Sequence, residues 1–203
     1  MPTTATAPHR LTTLASLIAA CLLLATPMLQ AQTGDAQYFT EVAPGVVKDS
    51  RTGLEWMRCS LGKYWRVSEK RCVKMIGRSI VFTWQGAQDA AKKLNATGGY
   101  EDKADWRVPT ILELQSIRYC STGKIIRNIA SQVDGSLVET GGCNDSSTTP
   151  TIDVTTFPDT LKLWYWSSTP SRYASHVWGV DFSDGDIGGY DLRYSDVAVR
   201  LVR

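Results

Sequence analysis

The chain has 203 residues, 43% of them hydrophobic and 21% charged, with a formal net charge of +2 at pH 7, five Cys and two His. That length suits one domain or two small ones with a real core, and the ordinary apolar and charged fractions exclude a wholly disordered chain. The weak net charge gives no global case for nucleic acid. With His9 in the leader, His176 alone is left to the mature protein, which argues against a multi-histidine metal centre.

Met1 to Arg10 is polar and ends on a cation, Leu11 to Leu29 is apolar or small, and Leu29-Gln30-Ala31 offers a cleavable end. Residues 1–31 read as a signal peptide, so the membrane is reached only through the leader or a lipid anchor. Two alternatives stay open: an uncleaved span, since about 20 apolar residues cross a bilayer, and lipoprotein processing at Ile18-Ala19-Ala20-Cys21. Cleavage after Ala31 leaves four cysteines, Cys59, Cys72, Cys120 and Cys143. In an exported protein, whether periplasmic, at the cell surface or secreted, an even count reads as two disulfides. Three pairings are open. The sequential one closes the shortest loops, each worth about 3 kcal/mol. A zinc site is disfavoured because neither pair has CxxC spacing.

Residues 32–45 read as a lead-in and 46–203 as the domain. Val46 to Asp49 and Gly53 to Met57 flank a polar Ser50-Arg51-Thr52 turn, the pattern of a β-hairpin. Ile80-Val81-Phe82 predicts a short strand, then Thr83 caps a helix through Trp84, Ala87, Ala91 and Leu94 that stops before Gly98-Gly99. In Trp106-Arg107-Val108-Pro109-Thr110 the proline biases Val108 away from helix, and Thr110 with Glu113 forms a capping box worth about 1 kcal/mol. Leu114 and Ile117 follow at helical spacing. Arg107 is read either as a buried ion-pair donor or as a ligand contact, the only residue of this motif that capping does not explain.

Three β-like segments follow, Leu163 to Thr169, His176 to Phe182 and Asp196 to Arg203. In the last, Val197, Val199 and Leu201 share one face and Ala198, Arg200 and Val202 the other, so it reads as a closing strand whose loss unfolds the domain. Two helices with antiparallel strands predict a compact α+β domain.

Asp49 with Thr52-Gly53-Leu54-x-Trp56, the helix after Phe82-Thr83-Trp84, Trp106 to Thr110 with Glu113-Leu114, Tyr165-Trp166-Ser167-Ser168-Thr169 and terminal Val199 to Arg203 occur in that order. The ordered set resembles the C-terminal domain family of the Legionella collagen-like adhesin, over about residues 46 to 203. The resemblance implies an α+β fold related to C-type-lectin-like and sulfatase-modifying-factor domains, and a binder of sulfated glycans at cell surfaces. A trimer is implied by the resemblance alone.

The charge pattern speaks to the same role. From Arg58 to Arg78 there are seven cations, Arg58, Lys63, Arg66, Lys70, Arg71, Lys74 and Arg78, against Glu69 alone. From Asn128 to Leu161 there are five acids, Asp134, Glu139, Asp145, Asp153 and Asp159, and no Lys or Arg. The basic stretch carries Tyr64 and Trp65 and is tied by Cys59 and Cys72 if these pair, so it can offer cations to sulfates and aromatic faces to sugar rings. Equally, its charges can pair with the acidic stretch. The expected partner is therefore an acidic or sulfated glycan, with no cofactor, no metal and no nucleic acid.

Asp181-Phe182-Ser183-Asp184-Gly185-Asp186 invites a calcium reading, but an Asp184-Gly185 hairpin turn accounts for it more economically. No catalytic motif occurs, and His176 has no visible partner. A structural cell-envelope protein that binds another protein is the main alternative, and an enzyme related by fold the lesser one.

Overall fold

The structure, a computed structural model, describes residues 1–3, 35–126, 130–133, 136–173, 175–191 and 197–203. The expected leader beyond Thr3, including Cys21, lies outside the described residues, as do Asp134 and Asp196. In chain order the strands are β1 (Phe39–Ala43), β2 (Val46–Asp49), β3 (Glu55–Met57), β4 (Lys63–Arg66) and β5 (Arg71–Lys74). Helices α1 (Trp84–Ala96) and α2 (Ile111–Ser116) follow, then β6 (Ala130–Val133), β7 (Ser136–Glu139), β8 (Trp164–Pro170), β9 (His176–Asp181) and β10 (Ile187–Asp191). The sheets are antiparallel: β1-β2-β3, β10-β9-β8 and the hairpins β4-β5 and β6-β7. The fold is α+β, and both disulfides follow the sequential pairing, Cys59–Cys72 and Cys120–Cys143, with Cα–Cα separations of 5.4 and 5.3 Å.

Both helices start where their caps predict. The Thr83 hydroxyl accepts from the Gly86 N–H at 3.0 Å. At α2 the Glu113 N–H donates to Thr110 Oγ1 at 3.3 Å while the Thr110 N–H donates to Glu113 Oε2 at 2.8 Å, closing the box. The stop of α1 has a reason outside the helix. The Asn95 side chain brackets Trp106, donating to its carbonyl at 2.7 Å and accepting from its N–H at 3.1 Å.

Trp106-Arg107-Val108-Pro109-Thr110 docks on Tyr165-Trp166-Ser167-Ser168-Thr169. The Ser168 N–H donates to the Pro109 carbonyl at 2.7 Å, and the Ile111 N–H donates to Thr169 Oγ1 at 3.0 Å. Trp106 and Trp166 are buried, and their indole N–H groups reach the carbonyls of Tyr100 and Phe82. Arg107 is half exposed rather than buried; it forks onto Glu113 with two 2.7 Å bonds, an ion pair that also braces the cap.

The last seven residues thread the middle of the domain. Ala198 and Val202 join one core cluster with Trp56, Leu114 and Phe182, while Val197, Val199 and Leu201 join the other with Trp106 and Trp166. The predicted alternation therefore separates two halves of the core, both of them apolar. The segment is no single ladder: it bridges singly to Phe82, Tyr165, Trp56 and Arg107.

Three further expectations change. Phe39–Ala43, within the lead-in, is a strand paired with β2. Ile80-Val81-Phe82 is not a strand; only Phe82 pairs, with Val197. The basic stretch, expected as a rigid loop tied by Cys59 and Cys72, is so tied but as a hairpin, with Lys63 to Arg66 and Arg71 to Lys74 forming β4-β5. As expected, Asp184-Gly185 sits in the β9-β10 turn: the Asp181, Asp184 and Asp186 carboxylates accept from the N–H groups of Ser183, Asp186 and Ile187, respectively.

Candidate functional site

The β4-β5 hairpin sets the geometry of the basic stretch. Lys63 faces Lys74, Trp65 faces Cys72, Tyr64 faces Val73 and Arg66 faces Arg71. Because side chains alternate along a strand, Trp65 and Cys72 turn inward with Lys63 and Lys74, and Tyr64 turns outward with Arg66 and Arg71. Placing two arginines opposite each other is repulsive unless each finds an anion. Arg66 finds Glu69 at 2.6 Å and Arg71 finds Asp159 at 3.4 Å.

Lys63 on the inner face, with Arg58 and Arg200 from outside the hairpin, serves one turn, residues 153 to 160. Asp153 organises it by accepting from the Thr155 N–H and the Thr156 hydroxyl. Arg58 donates to the carbonyls of Thr156 and Thr155, each at 2.8 Å, pairs with Glu41 and lies 4.3 Å above the Trp65 ring. Lys63 donates to the Asp159 carbonyl at 2.7 Å. The Asp159 carboxylate also accepts from the Cys72 N–H at 2.9 Å. Burial pushes both Arg58 and Lys63 below their ordinary values, against the pull of Glu41 and Asp153 on the first and of Asp159 on the second.

Arg200 completes this clasp from beneath. It is fully buried, donates to the carbonyls of Met57 and Arg58 and to Thr160 Oγ1 at 2.7 Å, and stacks 4.7 Å from the Phe157 ring. Burial pushes it down to about 10, partly opposed by the Tyr165 hydroxyl, so it remains a cation at neutral pH. Tyr165 in turn shares a 2.6 Å hydrogen bond with Ser60 Oγ.

Two residues of the expected binding set are corrected by this arrangement. Trp65 is only 9% exposed and packs with the Cys59–Cys72 disulfide, so it offers no face to a sugar. Arg58 is held by two carbonyls, a carboxylate and a ring, and has no free donor face to give a ligand. Lys63 and Arg71 are tied to Asp159 in the same way, though less fully buried.

The outer residues are different. Tyr64 is 39% exposed. The Arg66 guanidinium lies over its ring at 5.7 Å and donates to its hydroxyl at 2.8 Å. Hydrogen bonds to Tyr64 and then Glu69 raise Arg66 above its ordinary value, fixing its charge. Lys70 stands at the hairpin turn with φ +48°; Lys74, on the Trp65 face but exposed at the strand end, and exposed Arg78 follow. Among the described residues no ion pair involves Lys70, Lys74 or Arg78.

The backbone under the site is closely packed. Gly45 has φ +77°, and a Cβ there would lie 2.5 Å from the Tyr100 hydroxyl and 2.6 Å from Trp65 Cβ. The Tyr100 hydroxyl donates to the Pro44 carbonyl, and burial first, then Glu101 and Glu41, push it up to about 12.

The partners of the inner cations carried no signal in the sequence. Thr155, Thr156 and Thr160 are ordinary polar residues, and each lies about 40 to 100 positions from the cation it serves.

Residues 45–203 match the family model described as the Lcl C-terminal domain. The chain belongs to that family. The match spans both disulfides, the basic hairpin, the acidic turn it grips and the terminal strand. No curated protein matches the chain. The Lcl C-terminal domain is an adhesin-related domain, and its two disulfides are consistent with an exported protein, since such bonds persist in oxidising compartments.

Proposed function

We propose that this Lcl C-terminal domain is an exported binding module that holds acidic or sulfated polysaccharide on the exposed, unpaired cations of the β4-β5 hairpin. The observation that carries the reading is the division of the basic stretch: Lys70, at the turn next to the Tyr64–Arg66 pair, and Lys74, exposed at the far strand end, stand without ion-pair partners among the described residues. A hairpin of four residues per strand is about 13 Å long, so its cations address a repeating anion better than a single one. Ammonium and guanidinium groups give sulfates and carboxylates charge-assisted hydrogen bonds, and an exposed aromatic ring gives a sugar an apolar face.

The test is retention on a heparin column at low and high salt. Retention that falls with salt, and falls further in the Lys70→Gln, Lys74→Gln double variant, is the expected result. Retention unchanged by that pair removes the hairpin from the site.

A further inference from the structure

A groove lies beside the hairpin, between the loop after β5 and the C-terminal half of α1. Its volume of about 550 Å³ falls within the range of roughly 300–1,000 Å³ usual for small-molecule sites. The chain builds one wall by close approach. Gly62 has φ +88°, and a Cβ there would lie 2.0 Å from the Ser79 carbonyl oxygen, so any other residue would push the 75–79 loop away.

Leu61, Met75, Phe82 and Leu94 make the walls apolar, with Ala90 between them. A second cavity of about 170 Å³ shares Leu61, Met75 and Leu94, extending the apolar trough toward Trp65. Among the described residues two cations line it, Arg78 on the loop and Lys93 in the last turn of α1, and no carboxylate does. Neither cation forms an ion pair among the described residues.

The groove's own hydroxyls are already engaged. Ser79 Oγ donates to the Val81 carbonyl, and Thr97 Oγ1 donates to the carbonyls of Lys93 and Leu94. A sugar placed here would lose hydrogen bonds to water and regain few. An apolar chain loses nothing by entering, and an anion at its end meets two cations that form no ion pair among the described residues.

We propose that the groove binds a single-chain amphiphile with an anionic head, the chain lying along Leu61, Met75, Phe82 and Leu94 and the head between Arg78 and Lys93. This site is separate from the polysaccharide surface and stands or falls independently of it.

Titration calorimetry of the chain with dodecanoate below its micellar concentration tests the proposal, with dodecanol and a short acidic, apolar peptide as comparison probes. One saturable dodecanoate site per chain is expected, with dodecanol at least tenfold weaker. Ala90→Trp, which fills the trough, should abolish binding. Arg78→Glu with Lys93→Glu, both on the surface and checked for native circular dichroism, should weaken it at least tenfold even if Ala90→Trp fails to fold. Lys70→Gln with Lys74→Gln should leave dodecanoate binding unchanged. Absence of saturable binding, equal affinity for dodecanol, indifference to the Arg78 and Lys93 reversals, or saturable binding of the peptide in place of dodecanoate would overturn it.

Discussion

Four cations and three of the same sign lie within one corner of the molecule and do opposite work. Arg58, Lys63, Arg71 and Arg200 point at the 153–160 turn and are consumed by its carbonyls, its carboxylate and its one aromatic ring. Lys70, Lys74 and Arg78 are exposed and form no ion pair among the described residues. The inner set holds the hairpin in place, and the outer set is left to act on something else. Charge alone does not distinguish them. What distinguishes them is the arrival of a turn roughly 90 residues away, which converts half of a basic patch into scaffold.

The largest expected effect breaks the inner set at its base. Arg200→Met leaves the Met57 and Arg58 carbonyls and the Thr160 hydroxyl without their buried donor, and should cost about 3–5 kcal/mol in chemical denaturation. A loss below about 1 kcal/mol would mean that the clasp is not held from beneath. Cys59→Ala with Cys72→Ala comes next. Opening a loop with a separation of 13 residues should cost about 3 kcal/mol and weaken heparin retention as well, since the outer cations lose their fixed hairpin. Retention that survives the double variant would show that the outer set binds without a rigid frame.

Asp159→Asn is the finer cut between the two sets. Asp159 has φ +54°, a conformation asparagine tolerates, so the substitution removes charge without adding backbone strain. It should cost about 1–2 kcal/mol by weakening the bonds to the Cys72 N–H and Arg71, and it should strengthen heparin retention by freeing Arg71. Unchanged or weaker retention would place Arg71 outside the binding surface.

How far the sequence foretold this depends on range. The Thr83 cap, the Thr110–Glu113 capping box, the β2-β3 hairpin and the α+β class rest on neighbouring residues, and the structure has them; the terminal segment keeps its two faces but makes single bridges in place of a strand. The order of the disulfides was the shortest-loop choice among three, and it is the one found. The clasp was legible only as an alternative, basic stretch against acidic stretch, because nothing local names which lysine meets which carbonyl. Arg200 shows the limit best. Alternation places its face beside Ala198 and Val202, yet alternation cannot say that a guanidinium there will be fully buried, its two terminal nitrogens bonded to the Met57 and Arg58 carbonyls and Thr160 Oγ1 and its Nε left without a partner among the described residues. Trp65 failed for a related reason: a hairpin's two faces are distinguished only when the register is known.

Arg107 and Glu113 offer the contrast of a local pair, six residues apart and partly exposed. Burial pushes the Glu113 carboxyl up, but hydrogen bonds from Arg107 and the Thr110 N–H outweigh it and hold the group below its ordinary value. A carboxylate with a depressed folded value stabilises the native state above its unfolded value, near 4.3. That contribution is then lost as pH falls through the lower folded value. Glu113→Gln keeps an acceptor for the capping box but gives up the charge, and water screens a pair in which Arg107 is 45% exposed. The expected cost at pH 7 is therefore under about 1 kcal/mol, the smallest effect in the series. Measured across a pH range, the gap between the two proteins should begin to close as pH falls below about 4 and vanish once it is below the folded value, where the native glutamate is neutral as well. A gap that persists at pH 2 would assign the loss to packing instead of charge, and would make this pair resemble the buried clasp more than its exposure suggests.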